Sequence, residues 1–186
     1  MASTPESAPV RRLFFALWPP IEVARRLRQL QETVLAPVPG RRITLERLHL
    51  TLRFVGPVDE AVAACLQRAA ETVRVPPFVL QIDRLGAFPR AKVVWAGSAV
   101  PPPELLALAT ALERACQGCG LPAETRDFAP HLTLLRKAHR RLPRADTPIE
   151  PIAWPVSDFV LAASETHPDG AVYRVLSRWP LRAGDD

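Results

Sequence analysis

The tetrad His49-Leu50-Thr51-Leu52 returns letter for letter as His131-Leu132-Thr133-Leu134, and the chain has only 4 histidines. Histidine accepts and gives a proton near neutral pH. Two of them in matching frames describe a site with one proton acceptor and one proton donor. In each tetrad a threonine follows the histidine by two residues, and its hydroxyl is a neutral donor that can hold an anionic oxygen. Side by side, the four polar groups would surround one small anion, and a phosphate diester fits them. One histidine would activate water and the other would protonate the departing alkoxide. A single His-x-Thr is ordinarily a solvated strand face; the duplication, with different flanks (Arg47-Leu48 and Ala129-Pro130), favours chemistry.

The elements that must present these groups follow from spacing. Leu48 to Val55 alternates apolar and polar residues and closes at Gly56-Pro57, which is a strand with one face in a core. His49 and Thr51 then share one face, Leu50 and Leu52 the other, and the second tetrad repeats the pattern. Arg12–Trp18 reads as a buried strand, Ile21–Leu35 as a helix, and Asp59 as the N-cap of a helix running to about Val73. Phe78–Leu85 and Lys92–Ala96 read as strands linked by Gly86–Arg90. Pro101-Pro102-Pro103 opens a helix from Glu104 to about Cys116. Arg140–Pro151 is polar and proline-bearing, which predicts a surface loop. Ile152–Ala163 and Ala171–Trp179 read as final strands joined by a turn at His167-Pro168-Asp169-Gly170.

Each half of this order places a helix before its His-x-Thr strand. That predicts an α+β protein, bilobal with pseudo-two-fold symmetry, its antiparallel sheets forming a central cleft with helices outside. Residues 1–10 read as a disordered tail and 11–182 as one catalytic domain. The 21 prolines fit the sharp breaks but form no linker long enough to separate domains.

Composition narrows the class. No apolar run reaches the length of a membrane span, and the first residues lack the basic-then-apolar order of a secretory signal, so a cytoplasmic protein without a membrane is expected. The formal net charge of +5 favours a polyanion such as RNA. Arg41 and Arg42 precede the first motif, and Arg136, Lys137, His139, Arg140, Arg141 and Arg144 follow the second, fitting an electropositive cleft rim. The odd cysteine count (Cys65, Cys116, Cys119) and the cytosolic expectation argue against a disulfide framework. Cys116-Gln117-Gly118-Cys119 has redox-like spacing but closes a helix instead of opening one, and it lacks a second ligand pair for a metal.

Taken together these pieces resemble the two-histidine (2H) phosphoesterase superfamily, and within it the bacterial and archaeal RNA 2′,3′-cyclic phosphodiesterases, historically called 2′-5′ RNA ligases. The resemblance rests on Arg12–Leu17, Leu48–Leu52 with Phe54-Val55-Gly56, Val93–Gly97, Phe128–Arg136, and Ser164 followed by Gly170 and Tyr173. It implies cofactor-free, metal-independent opening of a ribose 2′,3′-cyclic phosphate to a 2′-phosphomonoester, with ligation to a 5′-hydroxyl as the reverse. By that analogy His131 is the general base and His49 the general acid. Thr51 and Thr133 hold the non-bridging oxygens, and Arg136 adds positive charge at the phosphate. The implied partner is RNA with cyclic phosphate ends, tRNA fragments among them, met by a monomer with no protein partner. A non-catalytic RNA-end binder, and a 2H enzyme acting on 2′-5′ oligoadenylates or small cyclic nucleotide phosphates, stand as the alternatives.

Phe54 shares the parity of Leu50 and Leu52, so alternation buries it, and stacking against a base requires a kink near Gly56. Phe54 and Tyr173 are nonetheless the substrate-binding candidates among the aromatic residues. Core packing is the better expectation for Trp95.

Overall fold

The computed structural model describes residues 11–144, 146–167 and 170–184; the expected tail and the turn at Pro168-Asp169 lie outside the described residues. β1 (Arg11–Leu17) leads into α1 (Ile21–Glu32). A short strand, β2 (Arg41–Arg42), and a 3₁₀ turn at Leu45–Arg47 precede β3 (Leu50–Val58). Then come α2 (Glu60–Glu71), β4 (Phe78–Phe88), β5 (Val93–Gly97) and α3 (Pro103–Gly118). The chain finishes with β6 (Leu132–Arg136), β7 (Thr147–Val156), β8 (Asp158–His167) and β9 (Gly170–Pro180).

The strands lie in the order β7-β4-β5-β6-β3-β1-β8-β9, with β2 beside β6. Every pairing is antiparallel. The two motif strands, β6 and β3, occupy the middle and meet through one residue pair, Leu50 opposite Leu132. Each therefore belongs to its own group of strands, β7-β4-β5-β6 or β3-β1-β8-β9. This is the expected α+β arrangement with one motif per lobe, although the chain feeds the two groups alternately.

The helices pack through single apolar stripes. α1 buries Val23, Ala24 and Leu27, and α3 buries Leu105, Leu108, Leu112 and Cys116. Gln31 of α1 is fully buried, and its amide donates to the carbonyls of Ile43 (3.0 Å) and Leu134 (2.8 Å). That fixes α1 to the approach to β3 and to β6, because a buried amide left unpaired costs about 1–3 kcal/mol. Asp59 caps α2 as expected, its carboxylate accepting from the Val62 N–H at 2.9 Å.

Several boundaries differ from the expectations. His49 and His131 each stand one residue ahead of their strands. β3 passes through Gly56-Pro57, where a stop was expected, and Gly56 allows this by taking φ +86°. β4 continues through Gly86 to Phe88 because the Trp95 ring lies across that glycine; a Cβ there would collide with the ring. The expected loop over Arg140–Pro151 gives way at Thr147 to β7. Pro148, Pro151 and Pro155 are accepted there because β7 is an edge strand with one side unpaired. The expected strand Ile152–Ala163 is two strands divided at Ser157.

The expectation against a disulfide is overturned. Cys65 of α2 is bonded to Cys119 at the C-cap of α3, their Cα atoms 5.8 Å apart across a sequence separation of 54. The two helices pack against each other, which no local pattern records. Cys116 is a free, buried thiol, pushed up to about 11 by its burial. No helix among the described residues is long and apolar enough to cross a membrane.

Candidate active site

The Leu50–Leu132 pair fixes the register of the two motifs. Antiparallel neighbours put His49 opposite Thr133 and Thr51 opposite His131. Facing residues in such a pair point to the same side, their Cβ atoms about 5 Å apart. Leu50, Leu52, Leu132 and Leu134 are buried on the other side. Each imidazole therefore stands beside the hydroxyl of the other motif. His49 and Thr133 line one cavity, and Thr51 and His131 line another.

Both imidazoles are held in the same tautomer. Nδ1 of His49 lies 2.7 Å from the Arg47 carbonyl oxygen, and Nδ1 of His131 lies 2.7 Å from that of Ala129. A carbonyl only accepts, so Nδ1–H donates in each case and the Nε2 lone pair is left for chemistry. The repeated offset of two residues shows that the duplication extends to the backbone ahead of each strand.

The surroundings of the two rings differ. His49 stacks on Trp18 (5.3 Å between centroids) and meets Phe14 (5.1 Å) and the edge of Tyr173 (4.9 Å). This burial pushes its pKa from 6.5 down to about 4; the Arg47 carbonyl works against the drop, while the Arg136 and His131 charges add to it. His131 meets Phe88 edge-on at 5.1 Å, and its pKa is lowered by burial and then by Arg136, against the Ala129 carbonyl. Both rings are therefore neutral at pH 7 in the empty site.

The cavity at the His49 end has a volume of about 290 Å³ and gathers Arg41, Arg47, Arg136 and Tyr173 around His49 and Thr133. No carboxylate lines it among the described residues. The electropositive rim is thus made by Arg41 and Arg136, partners across β2 and β6, together with Arg47. Lys137, His139, Arg140, Arg141 and Arg144 line neither cavity.

The cavity at the His131 end is larger, about 680 Å³, and Phe54 lines it. Burial of Phe54, expected from alternation, is corrected here: the residue is 44% exposed, with the Arg12 guanidinium over its ring. Two bulges, after Leu13 and after Phe15 in the β1–β3 register, leave Val55 and Leu52 without partners and break the alternation. The kink required for an exposed Phe54 is therefore present. Trp95 is half-buried, resting on Gly86 and against Phe88 at 5.6 Å. Sequence reasoning missed Phe14, Trp18 and Phe88 as partners of the histidines. The one signal that could have pointed to Trp18 is its place just after β1 and before Pro19-Pro20, at a strand end.

Comparison with known proteins gives an independent view. Residues 16–168 match the family model of the 2′-5′ RNA ligase superfamily. The chain is 34% identical over 171 residues to the RNA 2′,3′-cyclic phosphodiesterase of Escherichia coli (strain K12), covering 92% of this chain and 97% of that one. It is 33% identical over 162 residues to the protein of the same name from Aeropyrum pernix, covering 81% and 92%. Among solved structures, E. coli LigT complexed with 3′-AMP superposes with a TM-score of 0.83 at 33% identity, covering 93% of this chain and 99% of that one. A protein of Thermus thermophilus superposes with a TM-score of 0.79 at 30% identity, covering 94% and 100%.

Proposed function

Because the chain belongs to the 2′-5′ RNA ligase superfamily, we propose that it hydrolyses RNA 2′,3′-cyclic phosphate ends to 2′-phosphomonoesters by two-histidine acid–base catalysis. The observation that carries this reading is the cross-paired register, in which each imidazole, its Nε2 free, adjoins the hydroxyl of the other motif. A cyclic phosphate across β3 and β6 lies between two proton-transfer groups and two neutral donors.

His131 Nε2 takes a proton from water, whose oxygen forms a bond to phosphorus. The P–O3′ bond breaks, and the 3′ oxygen takes a proton from His49. Thr51 and Thr133 donate to the non-bridging oxygens, and Arg136 offsets the charge that builds on them. His49 must enter this step protonated. Its burial disfavours that form in the empty site, and an anionic phosphate beside it restores the proton. Two imidazoles account for both proton transfers, so the step as written uses no metal. Arg41, Arg47 and Arg136 supply the positive field that a polyanionic RNA end needs. The position of Tyr173, edge-on to His49 and lining the same cavity, supports a substrate-binding role for its ring.

The test is hydrolysis of a nucleoside 2′,3′-cyclic phosphate in excess chelator. A 2′-phosphate product is expected, with His49→Ala and His131→Ala each lowering kcat by about 10²–10⁴. A 3′-phosphate product, or activity that disappears with chelator and returns with a divalent ion, would overturn the mechanism. Binding of RNA cyclic phosphate ends without turnover would make the protein an RNA-end binder.

A further inference from the structure

The two motif strands meet through a single residue pair, so that pair alone does not hold the backbone ahead of each histidine against the other strand. A buried side chain does this for His49. The Gln31 amide donates to the carbonyl of Ile43, ahead of β3, and to that of Leu134, within β6. The counterpart for His131 is an ion pair between Arg53 of β3 and Glu113 of α3.

Residues 119–131 cross from the end of α3 to β6 without helix or strand. Among the described residues, no backbone–backbone hydrogen bond outside the helices and strands involves residues 122–130. Phe128 packs against the core, and the ion pair supplies the polar attachment. Arg53 Nη2 donates to the Pro122 carbonyl at 2.8 Å, Nη1 donates to the Phe54 carbonyl, and Nε donates to one oxygen of Glu113. The other oxygen of Glu113 accepts from the Glu124 N–H at 2.9 Å and from the Gln117 amide at 2.8 Å. The Arg53 side chain is only 10% exposed. Burial acts to raise the Glu113 carboxyl, yet the bonds from Gln117, Glu124 and Arg53 hold it below the usual carboxylate range, so both partners are charged.

Removing two charges from water largely cancels what their attraction returns, so such a pair adds little net stability. A guanidinium is nonetheless a rigid planar fork that fixes direction. Here its acceptors lie on β3, on α3 and on the segment that carries Ala129 and His131. Arg53 follows Thr51 by two residues, and Thr51 is the hydroxyl that stands opposite His131.

We propose that Arg53 and Glu113 are positioning residues for His131, setting where its approach stands relative to Thr51. The proposal rests on the hydrolytic reading above, in which His131 takes the proton from water. Neither residue touches the phosphate in this account; both act through the Ala129–His131 backbone. Neither lines the His49-end cavity, where Arg41, Arg47 and Arg136 supply the field for the substrate's phosphates. Loss of the pair should therefore lower kcat and spare KM. Displacing a reacting group by ~1 Å costs about 10²-fold in rate.

The experiment compares wild type, Arg53→Met and Arg53→Lys as full chains, with cytidine 2′,3′-cyclic phosphate in excess chelator. Urea midpoints and the ¹⁵N spectra of the imidazoles are recorded beside the kinetics. Arg53→Met is expected to lower kcat about 10²-fold while KM stays within about threefold. Its His131 resonances should lose the pure Nδ1–H tautomer that the Ala129 carbonyl enforces, while those of His49 keep theirs. A lysine at position 53 retains a charge for Glu113 but cannot span the Phe54 and Pro122 carbonyls as well. Arg53→Lys should therefore recover the urea midpoint and still show kcat lowered by at least about tenfold. It also supplies the test if Arg53→Met does not fold. An unchanged kcat in both variants, kcat recovering in step with the midpoint in Arg53→Lys, or a His131 tautomer untouched while kcat falls would overturn the positioning role and leave the hydrolytic reading standing. A wild-type protein that does not hydrolyse the cyclic phosphate would overturn that reading, and the tautomer of His131 in the variants would still decide the positioning role.

Discussion

The two histidines occupy matching frames in unlike surroundings, and pH is the variable that separates them. His49 sits among Phe14, Trp18 and Tyr173 with its pKa near 4, whereas His131 meets one ring and is held below 6.5 by burial and by Arg136. The pH dependence of kcat/KM reports the free enzyme. It should therefore be a bell whose limbs both lie below the ordinary imidazole value of about 6.5. In the complex the bound phosphate anion favours both imidazolium forms, so the kcat profile should move to higher pH. A kcat/KM optimum above pH 7 would contradict the burial of these rings. Stability carries the same signature. The unfolded chain protonates His49 near pH 6.5 while the folded chain resists until about 4. Stability should thus hold above pH 6.5 and fall as pH drops toward 4, by about 3 kcal/mol from this residue. Urea midpoints of wild type and His49→Gln, taken at pH 7 and pH 4.5, should show the pH-dependent loss shrinking in the variant.

At the scale of elements, the chemistry was legible because it is local. His49 and Thr51 share a face by strand periodicity alone, as do His131 and Thr133, and Asp59 announces α2 by residue type. What surrounds the histidines was not legible, because Phe14, Trp18 and Tyr173 come from β1, the turn after it and β9, which neighbour β3 only in space. Alternation misplaced Phe54 because bulges are a property of two paired strands, and β3 alone gives no sign of them. Prolines misplaced the start of β7 because an edge position forgives them. Gly86 shows how far such pair properties reach. Its missing side chain seats Trp95, which is paired with Thr133 and packs on Phe88, which in turn meets His131. Gly86→Ala forces that ring aside. The expected cost is about 1–3 kcal/mol in stability, as for an overpacked core, with kcat lowered as well. An unchanged urea midpoint and an unchanged kcat would show that Trp95 has room to move.

For the whole molecule, the site lies where the two groups of strands meet through one residue pair, so its geometry depends on what else ties the chain together. The Cys65–Cys119 bond joins α2 to the end of α3, and α3 also packs on β3 and forms a wall of the His131-side cavity. Neither bonded cysteine lines either cavity, so the link bears on stability more than on chemistry. Closing a loop across a separation of 54 residues removes chain entropy from the unfolded state worth about 4 kcal/mol in the loop-closure account. Cys65→Ser is therefore expected to lower unfolding free energy by up to about that amount, while kcat on a cyclic mononucleotide at 25 °C stays within about twofold of wild type, since no group at the phosphate is moved. Alkylation in denaturant without reductant checks the premise. One modified cysteine, Cys116, is expected, because the other two are bonded to each other. Three modified cysteines would show that the purified protein lacks the link, and the urea midpoints of wild type and Cys65→Ser should then differ only by the packing of one side chain.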